Sequence, residues 1–103
     1  MHPLIQTKIG TLRELCVRYR VVRLDLFGSA TRDDFDPTTS DLDFLVEFSP
    51  MAPSEHADSF FGLLEDLVKL FERQVDLLER EPIVNPYLWR SIERSRRALY
   101  EAA

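Results

Sequence analysis

Two segments in which every second residue is apolar constrain the fold of this 103-residue chain more than any other feature. Successive side chains of a β-strand point to opposite faces, so this alternation is typical of strands that bury one face. The apolar positions in residues 21–27 and 41–48 are Val22, Leu24 and Leu26 in the first segment and Leu42, Phe44, Val46 and Phe48 in the second. Residues 28–40 between them are polar and rich in turn-forming types, which predicts a loop with a short helical turn.

Segments in which apolar residues have helical spacing precede and follow these two strands. From Ile5 to Tyr19 the apolar residues recur at three- and four-residue steps, which predicts a first amphipathic helix of about 15 residues. Ser54 is the predicted N-cap of a second helix. The predicted core face of that helix consists of Phe60, Leu64, Leu67, Val68 and Phe71.

A third strand and a last helix complete the predicted order of elements. Residues 74–79 form the short strand, and Asn85 followed by Pro86 predicts an N-cap and first turn of the helix. The predicted buried stripe of this helix consists of Leu88, Trp89, Ile92 and Leu99. The sequence thus predicts an α/β (α+β) fold, a small mixed β-sheet of three or more strands flanked by helices, in one domain over residues 1–103.

Charge and cysteine content exclude several classes of protein. The 18 acidic residues outnumber 13 Lys and Arg, giving a formal charge of −5, and this disfavours nucleic acid as a partner because phosphate binding needs a basic face. A single cysteine cannot form an internal disulfide. The chain has no apolar run of about 18 residues and no signal-peptide pattern at its start, so we expect a cytoplasmic protein without a membrane segment.

The most informative residues for chemistry are two aspartates at the start of the second strand. Asp41 and Asp43 lie two positions apart, so they share one face of the strand, about 6 to 7 Å apart at the backbone. Two carboxylates at this spacing are suited to one divalent cation, and carboxylate oxygens completed by water and phosphates are the ligands of Mg²⁺. The alternative is that Asp41 is only a turn residue and Asp43 a solvated strand position.

Four further positions extend this candidate site. Gly28 lets the backbone approach a bulky anion, and Ser29 adds a hydroxyl beside backbone N–H donors, which predicts a small nest for phosphate oxygens. Arg32 adds a charge for the same group. Asp76 interrupts the third, otherwise apolar strand. If that strand neighbours the one with Asp43, three carboxylates meet there, which would suit two metal ions and deprotonation of an attacking hydroxyl.

These residues resemble a known family. Gly28-Ser29, Arg32, Ser40-Asp41-Leu42-Asp43 and Val75-Asp76-Leu77 are similar to the motifs of minimal nucleotidyltransferases of the DNA polymerase β superfamily, and most closely to antitoxins of the HEPN/MNT (HepT/MntA type) toxin–antitoxin modules. The resemblance implies that Gly28, Ser29, Arg32 and Ser40 bind the nucleotide. It also implies that Asp41, Asp43 and Asp76 hold two Mg²⁺ ions and are the catalytic residues.

The resemblance implies a function as well. Such an antitoxin, of the type VII class, transfers AMP from ATP to a tyrosine hydroxyl of its partner HEPN toxin, an RNase, and thereby neutralises it. A chain of 103 residues has little room for a domain that holds an acceptor, so we expect a partner protein to supply it. Two alternatives stay open: an antitoxin that acts by binding alone, and a nucleotidyltransferase that acts on another acceptor, such as a small molecule or an RNA end.

Other reactive side chains have simpler interpretations. Cys16 lies among core-facing positions and is interpreted as a buried, inert thiol. His2 and His56 have no spacing that suits zinc and are interpreted as surface residues. The run Arg90, Arg94, Arg96 and Arg97 is interpreted as a solvated helix face, with RNA or an acidic partner as the alternative.

Overall fold

The computed structural model describes residues 3–31, 41–81 and 83–102. Its elements are, in order, α1 (Pro3–Gln6), α2 (Ile9–Arg18), β1 (Val21–Phe27), a 3-10 turn (Gly28–Thr31), β2 (Leu42–Phe48), α3 (Pro53–Phe71), β3 (Val75–Glu79), α4 (Pro86–Ser95) and β4 (Arg97–Glu101). Within these residues the strands form one sheet in the order β3-β2-β1-β4. β1 is antiparallel to β2 and β4, whereas β2 and β3 are parallel. The predicted mixed sheet flanked by helices is confirmed.

Side chains on both faces of the sheet pack into apolar cores. Phe44 of β2 belongs to the main core, which also contains side chains from α1, α2 and α3. Leu45, the next residue, packs instead with Phe27 of β1 and Ile92 of α4 in a smaller core. Because residues two apart on a strand share a face, Asp43 projects from the side of the sheet that α4 covers.

The start of α4 is as predicted, whereas the start of α3 is not. Asn85 accepts hydrogen bonds through its side-chain oxygen from the N–H groups of Tyr87, at 2.9 Å, and Leu88, at 3.3 Å, which confirms it as the N-cap. The N-cap of α3 is Ala52 and not Ser54. The reason is that proline, with its fixed φ and missing N–H, suits the first turn of a helix, and α3 begins at Pro53.

Two other helical predictions need correction. The predicted first helix is divided into α1 and α2. The buried residues of α3 are Ser59, Leu63, Leu67 and Phe71, an i, i+4 series. Val68, predicted in the core, is 38% exposed, because it lies at the edge of that stripe.

The last predicted helix is shorter than expected and is followed by a strand. α4 ends at Ser95, and Leu99 is buried within β4, which pairs with β1. Leu88, predicted in the buried stripe, is 43% exposed. Among the helices of residues 3–31, 41–81 and 83–102, none combines the length and the apolar character that crossing a lipid bilayer requires.

Candidate active site

One end of the sheet brings together the residues predicted to carry the chemistry. β1 ends there and β2 begins there, because the two strands are antiparallel, and Phe27 at the end of β1 lies opposite Asp43. β3 begins at the same end, because it is parallel to β2, and Asp76 lies opposite Asp43 in the register. Neighbouring strands are about 4.8 Å apart, so Asp43 stands between the Gly28 turn on one side and Asp76 on the other.

Gly28 approaches the carboxylate of Asp43 more closely than any other residue type would allow. Its φ of +75° lies in the left-handed region. A Cβ at this position would overlap with Oδ2 of Asp43 and lie 3.3 Å from its Cγ. Glycine therefore serves two purposes here, the backbone conformation and the absence of a side chain.

Both backbone polar groups of Gly28 already have partners. Its N–H donates to Oγ of Ser95, at 3.0 Å, and its carbonyl oxygen accepts from Oγ1 of Thr31, at 2.8 Å. The Gly28 N–H is thus not a free donor for phosphate, and a nest at this turn must use N–H groups that follow it. Ser95 was not predicted as part of this region, because a serine near a helix end has no distinctive spacing.

The three predicted carboxylates differ in their surroundings. Asp43 is half-buried beside Gly28, whereas Asp41, which directly precedes β2, and Asp76 are exposed. The predicted adjacency of the two strands is confirmed. In the part of the chain that the structure describes, however, no three acidic, histidine or cysteine side chains are grouped closely enough to hold a metal ion. The metal site therefore stays a prediction.

Three of the predicted nucleotide-binding groups cannot be placed. Arg32 and Ser40 lie outside the described residues, as does the side chain of Ser29. Their roles stay predictions.

A buried charge on the same face of the sheet was not predicted. Asp25 in β1 is completely buried. Its two carboxylate oxygens accept from Nε of Arg23, at 3.0 and 3.1 Å, and Oδ2 lies 3.6 Å from Nε of Arg96. The hydrogen bond to Asp25 raises the pKa of Arg23 above its usual value. The signal in the sequence was an arginine two positions from an aspartate on one face of a strand.

A groove of about 680 Å³ opens at the opposite end of β2 and β3, with Phe48, His56 and Glu79 in its wall. His56 is hydrogen-bonded there to Glu79. The groove contains none of the predicted site residues. The candidate active site is the other end of these strands, at Gly28, Asp43 and Asp76, where the sheet register brings predicted site residues next to one another.

The site thus consists of a glycine turn set against an acidic residue of β2, with a second acidic residue on the neighbouring strand. Comparison with known sequences identifies the family of this chain. The chain belongs to the nucleotidyltransferase domain family, which it matches over residues 9–99. The predicted family is confirmed.

A curated relative points to the same class. A protein of Methanocaldococcus jannaschii named "putative protein adenylyltransferase MJ1379" is 36% identical to this chain over 76 residues, which are 74% of each chain.

Solved structures share the fold. A structure described as a "putative minimal nucleotidyltransferase" superimposes with a TM-score of 0.64 at 26% identity and covers 90% of each chain. A chain in the structure of a tri-AMPylated Shewanella oneidensis HEPN toxin in complex with MNT antitoxin gives a TM-score of 0.63 at 16% identity, over 94% of this chain and 72% of that one. A toxin–antitoxin structure with AMP-PNP gives 0.65 at 16% identity, over 91% and 73%.

Proposed function

We propose that this chain is a Mg²⁺-dependent protein adenylyltransferase that transfers AMP from ATP to a tyrosine hydroxyl of a partner HEPN toxin. The toxin in this proposal is an RNase, and AMP on its tyrosine would block that activity. The chain would thereby act as an antitoxin in the cytoplasm. The name of the Methanocaldococcus jannaschii relative supports transfer to a protein. The fold shared with complexes of MNT antitoxin and HEPN toxin supports the choice of partner.

One observation carries the proposal. The turn at Gly28 lies against the carboxylate of Asp43, which in turn faces Asp76 across the parallel register. A triphosphate held at this turn would have its phosphates beside carboxylates, a juxtaposition that is unfavourable without a cation and useful with one.

The side chains at this site have the chemistry of magnesium ligands. Asp41, Asp43 and Asp76 all offer carboxylate oxygens, the donors that Mg²⁺ prefers, and the missing Cβ of Gly28 lets the turn lie directly against the Asp43 carboxylate. Without an ion these carboxylates are not grouped closely enough to form a site, so these three side chains would hold the metal only after it draws them together. When bound, Mg²⁺ neutralises charge on the phosphates and stabilises the charge that develops during transfer.

The protein residues then have separate roles in the transfer. The tyrosine oxygen attacks the α-phosphorus, a new O–P bond forms, and the bond from the α-phosphorus to the bridging oxygen of the β-phosphate breaks. Pyrophosphate leaves with that electron pair. Asp76, which is exposed, would accept the hydroxyl proton. Gly28 and Ser29 orient the triphosphate for this attack.

The test is transfer of label from α-labelled ATP to the co-purified toxin. We expect the wild-type chain to label the toxin and Asp43→Ala to abolish labelling. The matched control is Asp58→Asn, which removes a charge from an exposed position of α3. Labelling by Asp43→Ala at the wild-type rate would contradict the proposed site. A toxin that is neutralised equally well by Asp43→Ala in growing cells would favour neutralisation by binding alone.

The acceptor is tested separately. We expect labelling to disappear when the modified tyrosine of the toxin, located by peptide mass spectrometry, is replaced by phenylalanine. Labelled RNA or a labelled small molecule in the absence of any protein partner would contradict the proposed acceptor.

A further inference from the structure

The position of the Gly28 turn depends on a contact with a distant helix. Gly28 follows β1, and its N–H donates to the Oγ of Ser95, the last residue of α4, at 3.0 Å. The two residues are 67 positions apart in the sequence. This hydrogen bond therefore ties the candidate nucleotide turn to an element that contributes no predicted catalytic group.

The hydroxyl of Ser95 is itself held in place. Its Oγ lies 3.3 Å from the carbonyl oxygen of Ser91 and 3.4 Å from that of Ile92. A hydroxyl has one hydrogen to donate and two lone pairs to accept with. Ser95 can thus donate to the turn of its own helix while it accepts from Gly28, so its orientation is set on both sides.

The end of α4 that carries Ser95 is fixed to the sheet by its neighbours. Ile92 is 1% exposed and packs with Phe27 and Leu45. Arg96, directly after Ser95, has its Nε 3.6 Å from the buried carboxylate of Asp25. An apolar contact and an ion pair therefore flank Ser95 and make it a rigid support for the Gly28 backbone.

We propose that Ser95 is a positioning residue of the nucleotide site, which holds the Gly28–Ser29 turn against Asp43 in the conformation that receives the triphosphate. This inference rests on the proposed function, because it assigns the turn to the nucleotide. The space between Gly28 and Asp43 admits no Cβ, so a small displacement of the turn changes the relation between the phosphates and the carboxylate. Ser95 touches neither nucleotide nor acceptor in this role.

The consequence is a selective loss of nucleotide affinity. Without the Ser95 hydroxyl, the Gly28 N–H loses its acceptor, and ATP must order the turn as it binds. We expect Ser95→Ala to weaken ATP binding about three- to tenfold. In the transfer reaction, the KM for ATP should rise by a similar factor while kcat stays within about twofold, since Asp43 and Asp76 are unchanged.

The experiment is a calorimetric titration of the full chain with ATP in the presence of Mg²⁺, followed by transfer kinetics. Ser91→Ala is the matched control, because Ser91 is an exposed serine on the same helix whose contact with Ser95 uses the backbone carbonyl, which the substitution keeps. Ser95→Thr keeps the hydroxyl and should restore wild-type affinity. Ser95→Cys keeps the size of the side chain with a weaker acceptor and should fall between serine and alanine; it also serves if the alanine variant fails to fold.

The outcomes separate this inference from the proposed function. Wild-type affinity in both Ser95→Ala and Ser95→Cys would overturn the positioning role alone. An equal loss in Ser91→Ala, or a fall in kcat in place of a rise in KM, would overturn it as well, because either would indicate general damage to α4. A wild-type chain that binds no ATP would overturn both proposals together.

Discussion

Asp43 of β2 lies directly opposite Asp76 of β3 in the parallel part of the sheet. The two residues have different environments, since Asp43 is half-buried beside Gly28 and Asp76 is exposed. This difference matches a division of roles in which Asp43 is fixed near the nucleotide and Asp76 is accessible to an incoming hydroxyl.

The first prediction concerns Asp76. We expect Asp76→Asn to lower the rate of AMP transfer by about 10²- to 10⁴-fold, because an amide cannot accept the hydroxyl proton. The measurement is single-turnover transfer of α-labelled AMP. Glu81→Gln, at an exposed position just after β3, is the control and should transfer at the wild-type rate. Wild-type transfer by Asp76→Asn would show that the proton goes elsewhere.

The second prediction compares two glycines. Gly28→Ala should destabilise the fold by about 1 to 3 kcal/mol and abolish transfer, because φ is +75° and the new methyl group would overlap with Asp43. Gly10→Ala in α2 should instead be neutral or stabilise by up to about 1 kcal/mol, because no atom lies within 4 Å of its Cβ position. Urea unfolding and the labelling assay measure both effects. A Gly28→Ala chain that is as stable and active as wild type would refute the close approach.

Local patterns in the sequence account for the elements that were predicted correctly. β1 and β2 alternate between apolar and polar residues, and this alternation identified both as strands, although the sheet buries side chains on both faces. Asn85 and Pro86 mark the start of α4 because a cap depends on a few consecutive residues. β4 has no such signal: its strand conformation depends on hydrogen bonds with β1, more than 70 residues earlier, and no local pattern records that pairing.

The same distinction between local patterns and contacts of distant segments applies to the candidate site. Gly28 was predicted as a turn that lets a bulky anion approach, without its contact with Asp43, and the neighbouring position of Asp76 followed if β3 lay beside β2. Ser95 and Asp25 were not anticipated as parts of this region, because their roles depend on where α4 packs. Only the folded chain brings the end of that helix to the end of β1.

A third prediction concerns the reactivity of Cys16. Its side chain is completely buried in the main core, and burial raises the pKa of the thiol to about 12. At pH 8 the thiolate fraction in the folded protein is therefore very small, and reaction with a chromogenic disulfide reagent should proceed only as the chain unfolds. The rate should rise to that of a free thiol in strong denaturant. Fast reaction in native buffer would contradict the buried placement that was predicted from the sequence and found in the structure.

A fourth prediction uses the pH dependence of stability. The Tyr19 hydroxyl donates to Asp66, and this hydrogen bond raises the pKa of Tyr19 above 10.0. Below pH 10 the tyrosine is protonated in both states and the stabilisation is complete. As the pH rises further, the unfolded chain releases the proton first, so the contribution is lost up to the folded pKa.

The measurement is urea unfolding between pH 8 and about 11 for the wild-type chain and for Tyr19→Phe. The difference in the free energy of unfolding between the two should shrink as the pH rises, and other titrating groups cancel in this difference. Tyr87→Phe, at a tyrosine that is 77% exposed, is the control. A difference that does not change with pH would contradict the hydrogen bond to Asp66.

The last prediction compares two acidic partners of Arg23. Nε of Arg23 lies 3.0 Å from Oδ1 of the buried Asp25, and its NH1 group lies 3.7 Å from Oε1 of Glu101, whose side chain is 61% exposed. Asp25→Ala removes a buried acceptor of charge-assisted hydrogen bonds but leaves an arginine whose side chain is 33% exposed, so it should destabilise the fold by about 1.5 to 3 kcal/mol. Exposed pairs contribute little, so Glu101→Ala should cost less than about 1 kcal/mol. Urea unfolding at neutral pH measures both values, and equal effects would contradict the burial of Asp25. Because Arg96, which follows Ser95, also lies beside Asp25, the Asp25→Ala chain should in addition bind ATP more weakly than the Glu101→Ala chain.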